Sequence, residues 1–304
     1  MCSFIYDLVA VGDWSTNGVI KVYYENLAQM SSFQAHSHLI NSIKQSSFNY
    51  EYVATASCDN TVKIWNLAPI NSTWTLIRSY TNHTGNVWSL AFINEDMIAS
   101  GSSDYTVKIW SISTGITSIT INAHSAIMAL ELLSNGIYLA AGLYNNLIKT
   151  YNINTGSLIA TLNGHNASIN NLLLMNSDFL ISSSDDWTIS IWDLKTNASK
   201  FNLTGHTDIV RGLKLVSFDV LASGSIDSTI KLWNLTNGAL IRTLKNHTAK
   251  ISWSVDMLNS QILVSGSGDQ TINLWNFNTG ERLNTVTTYL QIRCLTVLNL
   301  TSKL

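Results

Sequence analysis

Charged residues are scarce in this chain. Asp, Glu, Lys and Arg make up 12% of its 304 residues, about half the usual share in soluble domains. The formal net charge is −2, and no run of Lys or Arg occurs. Proteins that bind nucleic acid through its phosphates carry a basic surplus, so we predict no nucleic-acid partner. The polar surface is expected to consist mostly of Asn, Ser and Thr.

Cysteine and proline are also rare. Cys2, Cys58 and Cys294 are odd in number, lie far apart and show no CxxC spacing, which argues against a disulfide framework and against a zinc site. We therefore predict reduced thiols in an intracellular compartment, the cytoplasm or the nucleus. The only proline, Pro69, falls in a long loop, where a missing backbone N–H costs a sheet nothing.

Long apolar runs are missing as well. The N-terminal segment has no basic start and reaches Asp7 before any long apolar run forms, so no signal peptide is expected. No stretch approaches the ~18 apolar residues that a membrane helix requires. We therefore predict no membrane span.

What the chain does contain is a repeat marked by evenly spaced histidines. Their first gap is 47 residues and the next four are 41 residues: His36, His83, His124, His165, His206 and His247. Each interval holds four β-rich runs separated by Asn, Asp, Gly and Ser, as in NVWSLAFI, DMIASGSS, YTVKIWSI and GITSITI between residues 86 and 121. Four such runs predict four antiparallel strands.

The third run of each repeat ends in an aromatic residue, and these residues count the units: Trp65, Trp110, Tyr151, Trp192, Trp233 and Trp275. A period in the 40s with this His and Trp pattern is typical of a β-propeller. The chain ends supply a seventh blade, formed by three N-terminal strands and an innermost C-terminal strand.

The sequence thus predicts an all-β fold, a single seven-bladed propeller over residues 1–304. Blade 1 would combine residues 1–35 with 288–304, and blades 2 to 7 would occupy about 36–287. Pairing of N-terminal strands with a C-terminal strand would close the ring and leave no open sheet edge.

His, a turn Asp and a terminal Trp recur together in five of the six repeats, and in this the chain resembles the WD40-repeat family over essentially its whole length. In that family a buried hydrogen-bond network joins these three residues with a Ser or Thr of the second strand. The resemblance implies five such sets: His36, Thr55, Asp59 and Trp65; His83, Ser100, Asp104 and Trp110; His165, Ser182, Asp186 and Trp192; His206, Ser223, Asp227 and Trp233; His247, Ser265, Asp269 and Trp275.

Two blades depart from the family pattern. In blade 4, His124 faces Ala141, Asn145 and Tyr151 at the matching positions, so its network should be weak or absent. Blade 1 has Asn17 and Tyr23 at the matching places and no His, so we expect it to rely on strand closure.

Sets of Ser, His and Asp suggest a nucleophilic triad, but five equivalent copies, each closed by an indole N–H, favour structural networks. One His and one Asp in each set are too few ligands for a metal, and the blades place different sets apart. No phosphate-binding or dinucleotide-binding motif occurs. We therefore predict no catalytic residue, no metal site, no cofactor and no enzymatic activity.

The family resemblance implies a docking face formed by the loops before the innermost strands and by the turns after the second strands. Trp88, Arg211 and Arg293 are the leading candidates for partner contact, because Trp and Arg are common interface hot spots. The competing interpretations are that Trp88 packs between blades and that the arginines are merely solvated. Further candidates are Asn86, Met128, Asn170, Lys250, Tyr144 and Asp185, with a wider set of Asn41, Tyr105, Ser168, Trp187 and Ser252.

The family's usual role predicts a non-catalytic scaffold or peptide-recognition module within a multiprotein complex, with the ring itself monomeric. Its partners would be proteins or peptides, and the mixed charges at the predicted face favour a partner that carries both signs. Two alternatives stay open, a substrate receptor of a cullin-type ubiquitin ligase and a G-protein β-like signalling adaptor. The first often ends a blade in Trp-Asp-x-Arg, whereas this chain has Trp-Asp-Leu-Lys at 192–195.

Overall fold

The computed structural model describes residues 7–14, 17–67, 74–134, 136–251 and 254–299. Across these residues it contains 28 β-strands and no helix. The loop position of Pro69 and the candidate Ser252 lie outside the described residues. The strands form seven antiparallel sheets of four strands each, as the repeat pattern predicts.

Each blade runs from an innermost strand at the central channel to an outermost strand at the periphery, and its strands follow one another in that order. Blade 1 has β28 (Ile292–Asn299), β1 (Asp7–Asp13), β2 (Val19–Tyr24) and β3 (Gln29–Gln34). Blade 2 has β4 (Ile40–Gln45), β5 (Tyr52–Ser57), β6 (Val62–Asn66) and β7 (Thr75–Tyr80); blade 3 has β8 (Val87–Phe92), β9 (Met97–Ser102), β10 (Thr106–Ser111) and β11 (Thr117–Asn122). Blade 4 has β12 (Ile127–Leu132), β13 (Tyr138–Leu143), β14 (Ile148–Asn152) and β15 (Leu158–Leu162); blade 5 has β16 (Ile169–Leu174), β17 (Phe179–Ser184), β18 (Ile189–Asp193) and β19 (Ala198–Leu203). Blade 6 has β20 (Val210–Leu215), β21 (Val220–Ser225), β22 (Thr229–Asn234) and β23 (Leu240–Lys245); blade 7 has β24 (Val255–Met257), β25 (Ile262–Gly266), β26 (Thr271–Asn276) and β27 (Arg282–Thr287).

The innermost strands β4, β8, β12, β16, β20, β24 and β28 each contact the next in this order, and β28 contacts β4 again, so the sheets form a closed ring. Closure joins the two ends of the described chain. Strand β28 runs antiparallel to β1, with Leu298 opposite Leu8 and Leu295 opposite Val11. The predicted pairing of an N-terminal strand with a C-terminal strand is confirmed.

The blades hold together through apolar side chains packed between neighbouring sheets. In blade 6, Ile230, Leu232 and Trp233 of β22 are buried, whereas Leu240 and Ile241 of the outermost strand are exposed. Second strands are buried almost throughout because both of their faces meet other blades, and outermost strands bury only part of one face. This gradient explains why the inner runs are more continuously apolar than the fourth run.

A β-bulge occurs at the end of the third strand in all seven blades. The register with the outermost strand shifts directly before the aromatic residue, at Tyr23, Trp65, Trp110, Tyr151, Trp192, Trp233 and Trp275. Because the bulge recurs at Tyr23 and Tyr151, these two tyrosines occupy the structural position that Trp takes elsewhere. A bulge bends the strand and increases its twist.

Side chains also join neighbouring blades to each other. Two arginines of outermost strands reach the next blade's hairpin turn: Arg242 donates to the carbonyls of Thr279 (2.6 Å) and Asn278 (3.1 Å), and Arg78 donates to the carbonyl of Ile112 (3.1 Å). Around the channel, Asn41 Nδ2 donates to the Val87 carbonyl at 2.7 Å. Such bonds satisfy backbone carbonyls that face the gap between blades.

Candidate functional site

The predicted four-residue sets form hydrogen-bonded chains that run from the core of a blade to its loop end. In blade 6, Trp233 Nε1 donates to Ser223 Oγ at 2.8 Å, and Ser223 Oγ lies 2.8 Å from His206 Nε2. His206 Nδ1 lies 2.7 Å from Asp227 Oδ2. The same carboxylate accepts the Thr207 backbone N–H at 3.1 Å, which fixes the loop before the innermost strand against the turn.

The other four sets repeat this geometry. The distance from His Nδ1 to the Asp carboxylate is 2.9 Å in blade 2, 2.7 Å in blade 3, and 2.8 Å in blades 5 and 7. The distance from His Nε2 to the Ser or Thr hydroxyl is 2.7 Å in blades 2 and 5 and 2.8 Å in blades 3 and 7. The structure thus brings together all twenty residues of the five sets.

With a neutral histidine protonated on Nδ1, each chain has one consistent direction of donation. The indole N–H donates to the hydroxyl, the hydroxyl donates to His Nε2, and the N–H on Nδ1 donates to the carboxylate, so every polar hydrogen has an acceptor. Burial lowers the pKa of His36 and His83 below the usual value, more strongly than the hydrogen bonds to Asp59 and Asp104 raise it. Burial alone would raise the pKa of Asp227, but hydrogen bonds from His206 and Thr229 outweigh it and hold that pKa below the ordinary range.

These hydroxyl groups are closed to substrates. The side chains of Thr55, Ser100, Ser182, Ser223 and Ser265 are completely buried. A nucleophile must reach a substrate carbonyl, and each of these oxygens is enclosed between an indole and an imidazole ring. The five sets therefore stabilise the blades and fix the loops at one end of the ring.

Blade 4 carries no such chain. His124 is exposed, has a positive φ of 59°, and its backbone N–H donates to the Asn122 side chain at 2.9 Å. The turn is tied instead by a bond from the Asn145 backbone N–H to Ser125 Oγ at 3.2 Å. His124 is thereby released from the blade interior and lies at the rim of the channel.

In blade 1, Tyr23 is buried in the core, and burial raises its pKa to about 12.

The fixed loops surround a depression at one end of the channel, which we call the mouth. Its volume is about 880 Å³. It is lined by Trp14, His38, Leu39, Cys58, Asn86, Trp88, Ser103, Tyr105, His124, Ser125, Ala126, Met128, Tyr144, Ser168, Asn170, Asp185, Arg211 and Arg293. Eight of the nine principal docking candidates are among these residues, and the ninth, Lys250, lies directly beside Trp14.

Arg293 lies across the mouth and is not a solvated side chain. It is only 4% exposed, and its guanidinium carbon lies 4.4 Å from the ring centre of Trp14 and 5.3 Å from that of Trp88. Trp88 is half-buried and donates through Nε1 to Ser103 Oγ at 2.7 Å. The interpretation of Arg293 as merely solvated is therefore wrong, because two indole rings from blades 1 and 3 cover it.

Asn170 is also less accessible than a contact residue would be. It is 4% exposed, and its Nδ2 donates to Asp185 Oδ1 at 2.8 Å and to the Val210 carbonyl at 3.1 Å. Asn170 therefore joins blades 5 and 6 and holds the Asp185 carboxylate, which in turn lies near Arg211. Asn41, from the wider set, has the same bridging role between blades 2 and 3.

The remaining candidates divide by exposure. Tyr105 and Tyr144 are 54% and 65% exposed and lie on the side of the mouth formed by blades 3 and 4. Trp187 is half-exposed but does not line the mouth, and the buried Ser168 does. Tyr105 and Trp187 both have positive φ, 68° and 70°, because they follow the turn Asp at a left-handed position.

Sequence reasoning missed Trp14, His38, Cys58 and His124 as residues of the mouth. His124 was assigned to an incomplete network, and its missing partners were the signal that it is free to face the channel. Tyr105 could be selected from the sequence because it follows a turn Asp. Trp14 follows β1 in blade 1, which has no turn Asp, so the same reasoning did not select it.

Seven four-stranded blades in a ring, five of them fastened by a Trp, Ser or Thr, His and Asp chain, define a β-propeller of the WD-repeat class. The family model described as WD domain, G-beta repeat matches residues 27–66, 74–111, 156–193, 197–234 and 238–276. The matches cover more than half of the chain, which therefore belongs to the WD40 family. Residues 112–155, which contain most of blade 4, lie outside the matches, as do the part of blade 1 before residue 27 and the segment after residue 276, which holds β27 of blade 7 and β28 of blade 1.

No curated protein matches the chain at a significant level. WD40 propellers generally act as non-catalytic scaffolds for protein interaction. Among the described residues no helix is long and apolar enough to cross a membrane.

Proposed function

We propose that this protein is an interaction scaffold that docks a peptide or a protein segment at the mouth of its central channel. One observation carries the proposal. The depression of about 880 Å³ is lined by Trp, Tyr, Met and Arg side chains that belong to no blade network. Concave sites with aromatic walls and a few charged groups are typical of binding sites, and Trp, Tyr and Arg dominate interface energetics.

Regular and irregular positions of the repeat have different roles in this geometry. The five networks fix the loop before each innermost strand, so the side chains that follow are presented on a rigid rim. A rigid rim lowers the entropy that a partner must overcome on binding. The exposed Tyr105 and Tyr144 line the mouth together with the charged residues Arg211 and Arg293.

The two alternatives gain no separate support. A ubiquitin-ligase receptor is expected to carry Arg where this chain has Lys195, and the Lys195 amine is in an exposed ion pair with Asp178 at 2.8 Å. No feature of the mouth favours a G-protein β-like adaptor over a scaffold of another kind.

Site-specific photo-crosslinking tests the proposal. A photoreactive phenylalanine analogue replaces Tyr144 in the mouth or, as the matched control, Leu158 on the outer wall, which are 65% and 52% exposed. We expect a discrete adduct from position 144, traceable by mass spectrometry to one segment of a partner, and none from position 158. Adducts from the outer wall alone would contradict docking at the mouth.

A further inference from the structure

Three cationic side chains from consecutive blades meet at one side of the mouth. Arg211 lies on β20 of blade 6, Lys250 lies in the loop before β24 of blade 7, and Arg293 lies on β28 of blade 1. Lys250 Nζ lies 3.7 Å from the ring centre of Trp14, and Arg293 lies over the same ring at 4.4 Å. One indole thus holds two cations close together.

The charges beside these cations are unevenly distributed. Asp185 and Asp208 both lie near Arg211 and offset its charge. The pKa of Lys250 is lowered by burial and then by the positive charges of Arg211 and Arg293. Among the lysines of the described residues only Lys44, Lys195 and Lys214 have a carboxylate within ion-pair distance, so Lys250 has none. Lys250 therefore carries a partly buried positive charge among other cations, which costs free energy in the propeller without a bound partner.

The part of the mouth that blades 3 and 4 form is apolar and aromatic. It is formed by Met128, Tyr105 and Tyr144, with the exposed His124 beside them. Arg211 and Arg293 line the same depression of about 880 Å³, and Lys250 lies at its edge against Trp14. A short extended segment that entered it would meet both groups at once.

We propose that the mouth recognises an acidic peptide segment, in which an Asp or Glu side chain pairs with Lys250 and a nearby apolar side chain packs on Tyr105 and Tyr144. This inference rests on the proposed function and names the chemistry of its ligand. Asp185 and Asp208 beside Arg211 leave a small net positive charge among the three cations, which suits the single charge of a carboxylate. The same two carboxylates disfavour a nucleic-acid backbone.

Short synthetic peptides provide the probe. Three matched arrays vary the positions around one fixed residue, which is Glu, Gln or phosphoserine, and binding of the purified full-length ring is measured by fluorescence anisotropy. We expect the best Glu peptides to bind about tenfold more tightly than their Gln counterparts, the effect of one partly desolvated ion pair. Equal affinity for Glu and Gln, a preference for phosphoserine, or no binding to any array would overturn the inference.

Two lysine variants locate the effect. Lys250→Met keeps most of the aliphatic stem, removes the ammonium group that lies over Trp14, and should abolish the preference for Glu over Gln. Lys200→Met is the matched control, since Lys200 Nζ also lies over an aromatic ring, 4.3 Å from the centre of Phe179, but on the outermost strand of blade 5. Persistence of the preference in Lys250→Met would contradict the assignment. If the unaltered protein binds the Glu and Gln peptides equally and Tyr144→Ala abolishes both, the mouth still docks peptides and only the acidic specificity fails.

Discussion

Replacing Asp227 by Ala is expected to lower the free energy of unfolding by about 3 to 5 kcal/mol, because it removes four hydrogen bonds to a nearly buried ionised acceptor. The carboxylate accepts from His206 Nδ1 (2.7 Å), Thr207 N (3.1 Å), Thr229 N (2.9 Å) and Thr229 Oγ1 (2.7 Å). Hydrogen bonds to an ionised acceptor contribute about 1.5 to 3 kcal/mol each. Because the Asp227 side chain is 7% exposed, water replaces part of this set, and the total stays below the sum of four bonds.

The assay is equilibrium unfolding in urea, followed by tryptophan fluorescence and far-ultraviolet circular dichroism. Blade 4 offers the matched control: Asn145 occupies the same turn position but is exposed and lies in a blade without the network. Asn145→Ala should change the free energy of unfolding by no more than about 0.5 kcal/mol, as for most surface substitutions. The reasoning would be refuted if the two variants had the same unfolding midpoint.

Three further predictions concern the same kinds of contact. Stability should fall as pH drops below about 6.5, because His36 and His83 take up protons in the unfolded chain while their lowered pKa keeps them neutral in the folded protein. It should fall again below about 4, because Asp227 and Asp269 take up protons in the unfolded chain before they do so in the folded protein. Urea midpoints measured across this pH range would stay constant near pH 6 if the histidines were solvated. Arg242→Ala should destabilise the propeller by about 1 to 2 kcal/mol and speed amide exchange at Thr279 and Gly280, because it removes the bonds from Arg242 to the next blade's turn. Arg282→Ala on the exposed face of β27 should do neither, and equal exchange in both variants would show that the Arg242 bonds do not hold the turn. In the native protein a thiol reagent should modify Cys58 at the mouth and spare Cys294, because burial raises the pKa of Cys294 to about 12. Equal labelling of both cysteines, measured by peptide mass spectrometry, would contradict the burial of Cys294.

The repeat could be predicted from the sequence because a blade is a local object. Its four strands lie within about 40 consecutive residues, and the aromatic residue that ends the third strand marks the same position in every repeat. Even Tyr23 and Tyr151 lie where the pattern predicts, since the bulge before them follows from strand pattern and not from the identity of the ring. The closure of β28 onto β1 follows from the two incomplete ends.

The roles of individual mouth residues could not be predicted in the same way. Arg293 is near Trp14 and Trp88 in space, but it is more than 200 positions from both in sequence. Its cover of two indole rings depends on a side chain that crosses the channel. Asn170 lines the mouth as expected, but a bond to the next blade's Val210 carbonyl buries it. Positions in a repeat determine which side chains reach the mouth, whereas tertiary contacts determine which of them stay available.

The central claim is that the networks stabilise the ring and that the irregular residues of the mouth bind its partner. The most direct test is the affinity of the segment that crosslinks at position 144 for a variant in which Trp88 and Arg211 are both replaced by Ala, measured by isothermal titration calorimetry. We expect affinity to fall by at least about a hundredfold, as for loss of two interface hot spots, while the far-ultraviolet spectrum stays that of the folded ring. Unchanged affinity in a folded double variant would exclude this face as the docking site.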